Sequence, residues 1–232
     1  MAHYFIANHE RRFVAIASPK CGSTAVRRWY LETTGADPTR LRAVGPNLVD
    51  PEHLSDLGDY ERILFVRDPL RRLVGFYWQW VVRDQTLWCF ADDERERSLE
   101  GVTFREMIDA VEAMRREDRV LQHHLLDQVA LLPTDRIPDR LALVEQLADE
   151  LAALNTRYGL TGASTPRARA MSSSYAEPVM DCPAAWFRER KDELAPRFEL
   201  FYDRELAERA RRCFATDCAL HASIPDASPL AV

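Results

Sequence analysis

Residues 13–27 read FVAIASPKCGSTAVR: a β-rich apolar run, a Pro-Lys-Cys-Gly turn, then Ser-Thr opening an amphipathic helix. That order commits the chain to a strand–turn–helix unit. It also builds a pocket for an anion, because the amides of Cys21–Ala25 converge at a helix N-terminus, where free N–H groups and the helix dipole favour negative charge. Of the 31 basic residues only Lys20 and Lys191 are lysines. In so arginine-rich a chain, a lysine inside a Gly-Ser-Thr turn supplies a compact point charge that a planar guanidinium does not.

The same pattern recurs downstream. A strand over residues 13–18 leads into a helix from 23 to 34 that stops at Gly35, and a Pro- and Gly-bearing segment follows as loop. Residues 61–67 (ERILFVR) form a second strand, after which Asp68 and Pro69 supply an N-cap and an N1 proline. Leu70, Leu73, Val74, Tyr77, Trp78 and Val81 then fall on one helical face. Thr103-x-x-Glu106 predicts a capping box and a helix to about Arg116, and a second helical stretch is expected over 119–132. Residues 140–144 read as a third strand running into a helix that ends at Tyr158-Gly159. The link 161–174 precedes a last long helical region, about 184–214. Strands alternating with helices predict an α/β fold with a parallel sheet flanked by helices and a largely helical C-terminal half. Ligands of such sheets sit at the carboxyl ends of the strands, and both the Lys20 turn and Arg67 occupy such ends. If the two strands are neighbours, the two cations lie side by side, as a ligand with two separated phosphates requires.

Composition narrows the rest. The 232 residues suffice for one core, so a single domain over 1–220 with a flexible tail at 221–232 is expected. A formal charge of −6 argues against nucleic acid as partner. No apolar run approaches a bilayer span and no secretory pattern opens the chain, which predicts a cytoplasmic protein with reduced thiols at its five cysteines. No metal is expected, since no Cys-x-x-Cys or paired-histidine cluster occurs. Trp78, Trp80, Trp88 and Trp186 read as core or interface residues, 92–97 (DDERER) as a solvated turn, and 172–174 as a flexible loop.

These residues also carry a resemblance. Ser-Pro-Lys-Cys-Gly-Ser-Thr at 18–24 resembles the 5′-phosphosulfate loop of sulfotransferases, and Phe65-Val-Arg-Asp-Pro-Leu-Arg-Arg-Leu73 resembles their 3′-phosphate motif. Residues 124–128 (HLLDQ), 143–147 (LVEQL) and 201–206 (FYDREL) ahead of Asp217 are similar to stretches of the Golgi-type carbohydrate sulfotransferases. The resemblance implies a P-loop-NTPase-like sheet and transfer of a sulfuryl group from 3′-phosphoadenosine 5′-phosphosulfate (PAPS), leaving the bisphosphate PAP, to an acceptor hydroxyl or amine. A carbohydrate or glycoconjugate is the expected acceptor, held by loops at about 36–58 and 85–102. It implies that Lys20 contacts the oxygen bridging phosphate and sulfur and that Cys21, Gly22, Ser23, Thr24 and Ala25 line the 5′-phosphate. Arg67 would hold the 3′-phosphate. Eight residues after Arg67 the family usually has a serine, but this chain has Gly75. The base that takes the acceptor proton is expected between the two motifs, with His53 first and Glu52, Asp50 and His124 as alternatives. A serine near 172–174 is brought to the cofactor in the family.

Three other classes fit parts of the pattern. Cys21 and Arg27 make the Cys-x5-Arg spacing of a cysteine phosphatase, a spacing that arises by chance in a chain this rich in arginine. A P-loop kinase would need GxxxxGK[ST], which is absent. Gly75 makes a non-catalytic nucleotide-binding protein a further possibility.

Overall fold

The sheet is set by three short apolar runs, each too hydrophobic to leave in water. In the computed structural model, which describes residues 5–84, 99–117, 124–130, 132, 138–161, 175–190 and 196–232, they become β2 (Phe13–Ile16), β3 (Glu61–Val66) and β4 (Arg140–Leu143). These three are parallel neighbours, with Ile16 opposite Leu64 and Val66 opposite Leu143. A further strand unread in the sequence, β1 (Phe5–Asn8), pairs antiparallel with β2 through a tight turn at residues 9–12. The strand order is β1-β2-β3-β4. The fold is mixed α/β, so the expected parallel sheet is corrected to one with an antiparallel edge. Every residue of β1 and β2 is buried, which explains why neither shows the alternation of a half-exposed strand.

Contacts divide the described chain into two compact units. The first comprises residues up to Arg67, Asp127–Ala168 and Ser223–Ala227 and contains the sheet. Its α1 (Ser23–Thr33) and α4 (Leu147–Tyr158) pack Val26, Trp29, Leu151 and Leu154 with Phe13, Ile63 and Phe65. α4 ends at Gly159, whose φ of 61° closes the helix in the left-handed conformation expected of that glycine. The Tyr30 hydroxyl donates to the Ala7 carbonyl at 2.9 Å, and burial pushes its pKa up to about 12.

The second unit comprises Asp68–Leu126, Arg169–Ala222 and Ser228–Val232. Its α2 (Pro69–Tyr77) is capped by Asp68, which accepts from the Arg71 amide, and continues into a π-helical turn at Trp78–Arg83. α3 (Phe104–Arg116) starts on the expected capping box, Thr103 and Glu106 each bonding the other's backbone. The long helix expected over 184–214 is broken into α5 (Ala184–Glu189), a 3-10 turn at Phe198–Phe201 and α6 (Arg204–Cys213), followed by α7 (Ala215–Ala222). Asp203 stops propagation between the last pieces by capping α6. The helix expected over 119–132 is likewise corrected: residues 124–130 are turns. Tyr77, Phe104, Phe187, Phe201 and Tyr202 form an aromatic cluster in this unit, edge-on except for the stacked pair Phe187 and Phe201. Trp78, Trp80 and Trp186 pack against that core, whereas Trp88, Cys89, residues 92–97 and residues 172–174 lie outside the described residues. The segment expected to be a flexible tail begins inside α7 and is held by buried His221 and Ile224. Leu230 is buried, its amide donates to Asp68 and its carbonyl accepts from Arg211.

Candidate functional site

Where β2 ends, the chain must turn sharply to start α1, and two backbone inversions accomplish it. Lys20 has φ 67° and Gly22 has φ 74°, flanking Cys21. A left-handed lysine is an uncommon, strained choice that persists only where the surroundings enforce it. Gly22 serves as N-cap of α1 and offers no side-chain cap, so the first-turn amides of Ser23, Thr24 and Ala25 have no partner within the helix. A Cβ at Gly22 would meet Leu147 Cδ2 at 3.4 Å, an ordinary contact, so it is the positive φ that selects glycine there. Lys20, Ser23 and Ala25 are half-buried and Thr24 is exposed.

β3 is the immediate parallel neighbour of β2, so Arg67 leaves the sheet beside this turn. Its guanidinium donates from Nη1 to the Lys20 carbonyl at 2.9 Å. The condition set by the sequence, that the two strands be neighbours, is met, and the Arg67 side chain reaches the backbone of the Lys20 turn.

Gln128 joins them. Its side chain is wholly buried. Oε1 accepts from the Arg67 amide at 2.8 Å and from Cys21 Sγ at 2.9 Å, while Nε2 donates to the Arg67 carbonyl at 2.8 Å. The Gln128 carbonyl accepts from Ser18 Oγ at 2.8 Å, and the Ser18 carbonyl accepts from the Cys21 amide at 3.0 Å. Sequence reading registered Gln128 only inside a similar stretch. A single polar residue in a turn carries no periodic signal, and its partners are 61 and 107 positions away.

The remaining candidates lie on other elements. His53, Glu52 and Asp50 gather on the exposed 3-10 turn Pro51–Leu57, their ligand atoms within 4.8 Å of one another. His124 belongs to the second unit, where its ring packs edge-on against Trp80 with centroids 4.8 Å apart. Gly75 is half-buried in α2, also in the second unit. Cys21 is fully buried with its thiol turned to Gln128, and Arg27 folds back to donate to the Ser23 carbonyl of its own helix. Cysteine and arginine therefore do not converge on a common pocket, and the phosphatase reading finds no support.

A family model described as the Sulfotransferase family matches residues 3–177, well over half the chain and inclusive of both strand-end motifs. The chain belongs to sulfotransferase family 2. No curated protein and no solved structure matches it. Membership gives sulfuryl transfer as the general chemistry of this sulfotransferase. It also overturns the cytoplasmic expectation, because enzymes of this family are typically of Golgi type. Among the described residues no helix of the sulfotransferase is long and apolar enough to cross a membrane, which does not assign a compartment.

Proposed function

We propose that the chain transfers a sulfuryl group from PAPS to an acceptor hydroxyl, with a carbohydrate or glycoconjugate as the acceptor class, on a P-loop-like arrangement of β2, the Lys20 turn and α1. The observation that supports this most directly is the hydrogen bond from the Arg67 guanidinium to the Lys20 backbone carbonyl, which joins the two motif-bearing loops at the ends of neighbouring parallel strands. The first-turn amides of α1 receive the 5′-phosphate, with the Ser23 and Thr24 hydroxyls beside them. Arg67 takes the 3′-phosphate, without the serine that Gly75 replaces. Lys20 meets the charge that develops on the bridging oxygen as the sulfur–oxygen bond breaks and the acceptor oxygen bonds to sulfur. Sulfuryl transfer leaves a protein little covalent work, so in-line positioning and stabilisation of the leaving phosphate dominate. The acceptor proton passes to a base, for which the exposed His53, with Asp50 and Glu52 beside it, is our first candidate.

A ligand that binds only the folded state must raise apparent stability. Thermal unfolding with 3′,5′-adenosine bisphosphate, ATP and inorganic phosphate therefore tests the donor site. The bisphosphate is expected to raise the midpoint well above either control. A response to ATP alone would end the reading.

A further inference from the structure

We infer that Gln128 is a positioning residue that sets the spacing between the two halves of the donor site, an inference that rests on the PAPS reading above. One side-chain amide holds both the N–H and the C=O of Arg67, at 2.8 Å each, so it fixes the peptide units on either side of that residue as the chain leaves β3. With those units fixed, the Arg67 side chain is directed back onto the Lys20 carbonyl. The other contacts of Gln128 run to the opposite loop, through Cys21 Sγ and Ser18 Oγ. Its amide orientation is dictated by the partners: the Arg67 amide and the thiol both require an acceptor and the Arg67 carbonyl requires a donor, so oxygen and nitrogen cannot exchange. Gln128 thus plays the part of a rung between the strand ends at which the sheet's own backbone ladder stops. Buried amide bonds of this kind resist water and define one geometry. The consequence is specific. A ligand that spans both loops senses the spacing, whereas a ligand seated in one loop does not.

The experiment compares affinities of wild type, Gln128→Ala and Gln128→Met for 3′,5′-adenosine bisphosphate and for 5′-AMP by calorimetry. Gln128→Met keeps the volume while removing the amide, and serves if the alanine variant does not fold. The bisphosphate is expected to bind the variants about tenfold more weakly, as loss of buried hydrogen bonds predicts, and 5′-AMP to change by less than about threefold. Equal weakening of both ligands would reduce Gln128 to a general structural residue and overturn the inference, as would no change in either. Should wild type bind the bisphosphate no better than 5′-AMP, the donor-site reading itself falls, a result visible before any variant is made.

Discussion

The two units bury polar groups to different ends. In the first, Ser18 and Gln128 are buried in order to hold backbone atoms and a thiol at the ends of β2 and β3. In the second, Arg72 and Asp217 are buried to satisfy each other. Their side chains are 3% and 0% exposed, Arg72 Nη1 lies 3.0 Å from Asp217 Oδ2, and Nη2 donates to the Leu126 and His124 carbonyls. Neutral amide groups cost less to desolvate than charges and, when their bonds are lost, loosen local geometry. A buried ion pair costs much to desolvate and, when split, leaves a charge stranded. Disruption in the first unit should therefore appear in ligand binding, and disruption in the second in folding.

The sharpest way to break that contrast is Asp217→Ala. It leaves the Arg72 guanidinium buried beside two carbonyls, and a loss of about 3–5 kcal/mol in unfolding free energy is expected by denaturant titration. Replacing both partners with apolar residues, Arg72→Met with Asp217→Leu, should recover part of it, since the pair's desolvation cost vanishes with the charges while the Leu126 and His124 carbonyls lose their donor. A single-variant loss below about 1 kcal/mol would show that the pair is not desolvated and would remove the contrast.

Lys20→Ala tests the other side. Transfer from labelled PAPS should fall by about 10²–10³-fold, the scale of removing one preorganised charge-stabilising group. The unfolding midpoint should hold, because a half-buried lysine contributes little to the core. Lys20→Arg should restore little transfer, as a planar fork does not place a point charge on one oxygen. Full activity in Lys20→Ala would detach the turn from the chemistry.

A smaller effect separates strain from function. Gly22 and Gly35 both adopt positive φ, 74° and 70°, but an added Cβ meets Leu147 at 3.4 Å in the first case and nothing within 4 Å in the second. Alanine at either position should cost about 1–2 kcal/mol of stability from the left-handed backbone alone. Only Gly22→Ala should also weaken 3′,5′-adenosine bisphosphate, because only Gly22 caps the helix whose amides face the ligand. Equal binding by both variants would mean that the α1 terminus takes no part.

What the sequence disclosed divides along the same line. Strand–turn–helix order, the Asp68-Pro69 and Thr103-Glu106 starts and the Gly159 stop were legible because each is written within a few residues. The Lys20 turn and Arg67 were legible as strand-end features, but that the two strands adjoin came only with the sheet order. β1 was not legible, being four residues whose burial on both faces erases any alternation. The breaks in the 184–214 region have local signals in Pro196 and the capping Asp203, which the many helix-forming residues around them outweigh. Gln128 escaped for a different reason. Its meaning lies in contacts 61 and 107 positions distant, and no local pattern encodes them.

Acid sets the smallest difference between the units. Asp139 in the first unit is held below its ordinary 3.8 by the Arg62 guanidinium, which donates at 2.9 Å. In the second unit Asp203 is lowered by the Leu206 amide it caps and then by Arg105, and Glu112 is held below 4.5 by Arg209. A carboxylate whose folded pKa lies below its unfolded value stabilises the fold fully above the unfolded value, and that contribution disappears as pH falls through the folded one. Stability should therefore be level down to the ordinary carboxylate range and decline below it. The decline should be shallow, because these side chains remain partly exposed and solvent screens their pairs. Denaturant midpoints measured from neutral pH to about pH 3 give the curve, and Asp203→Asn should flatten it more than Asp139→Asn, since on protonation Asp203 loses the charge that strengthens its helix cap as well as an ion pair. A midpoint that rises on acidification would mean that repulsion within the net-negative chain outweighs these contacts, and the two units would then respond to acid alike.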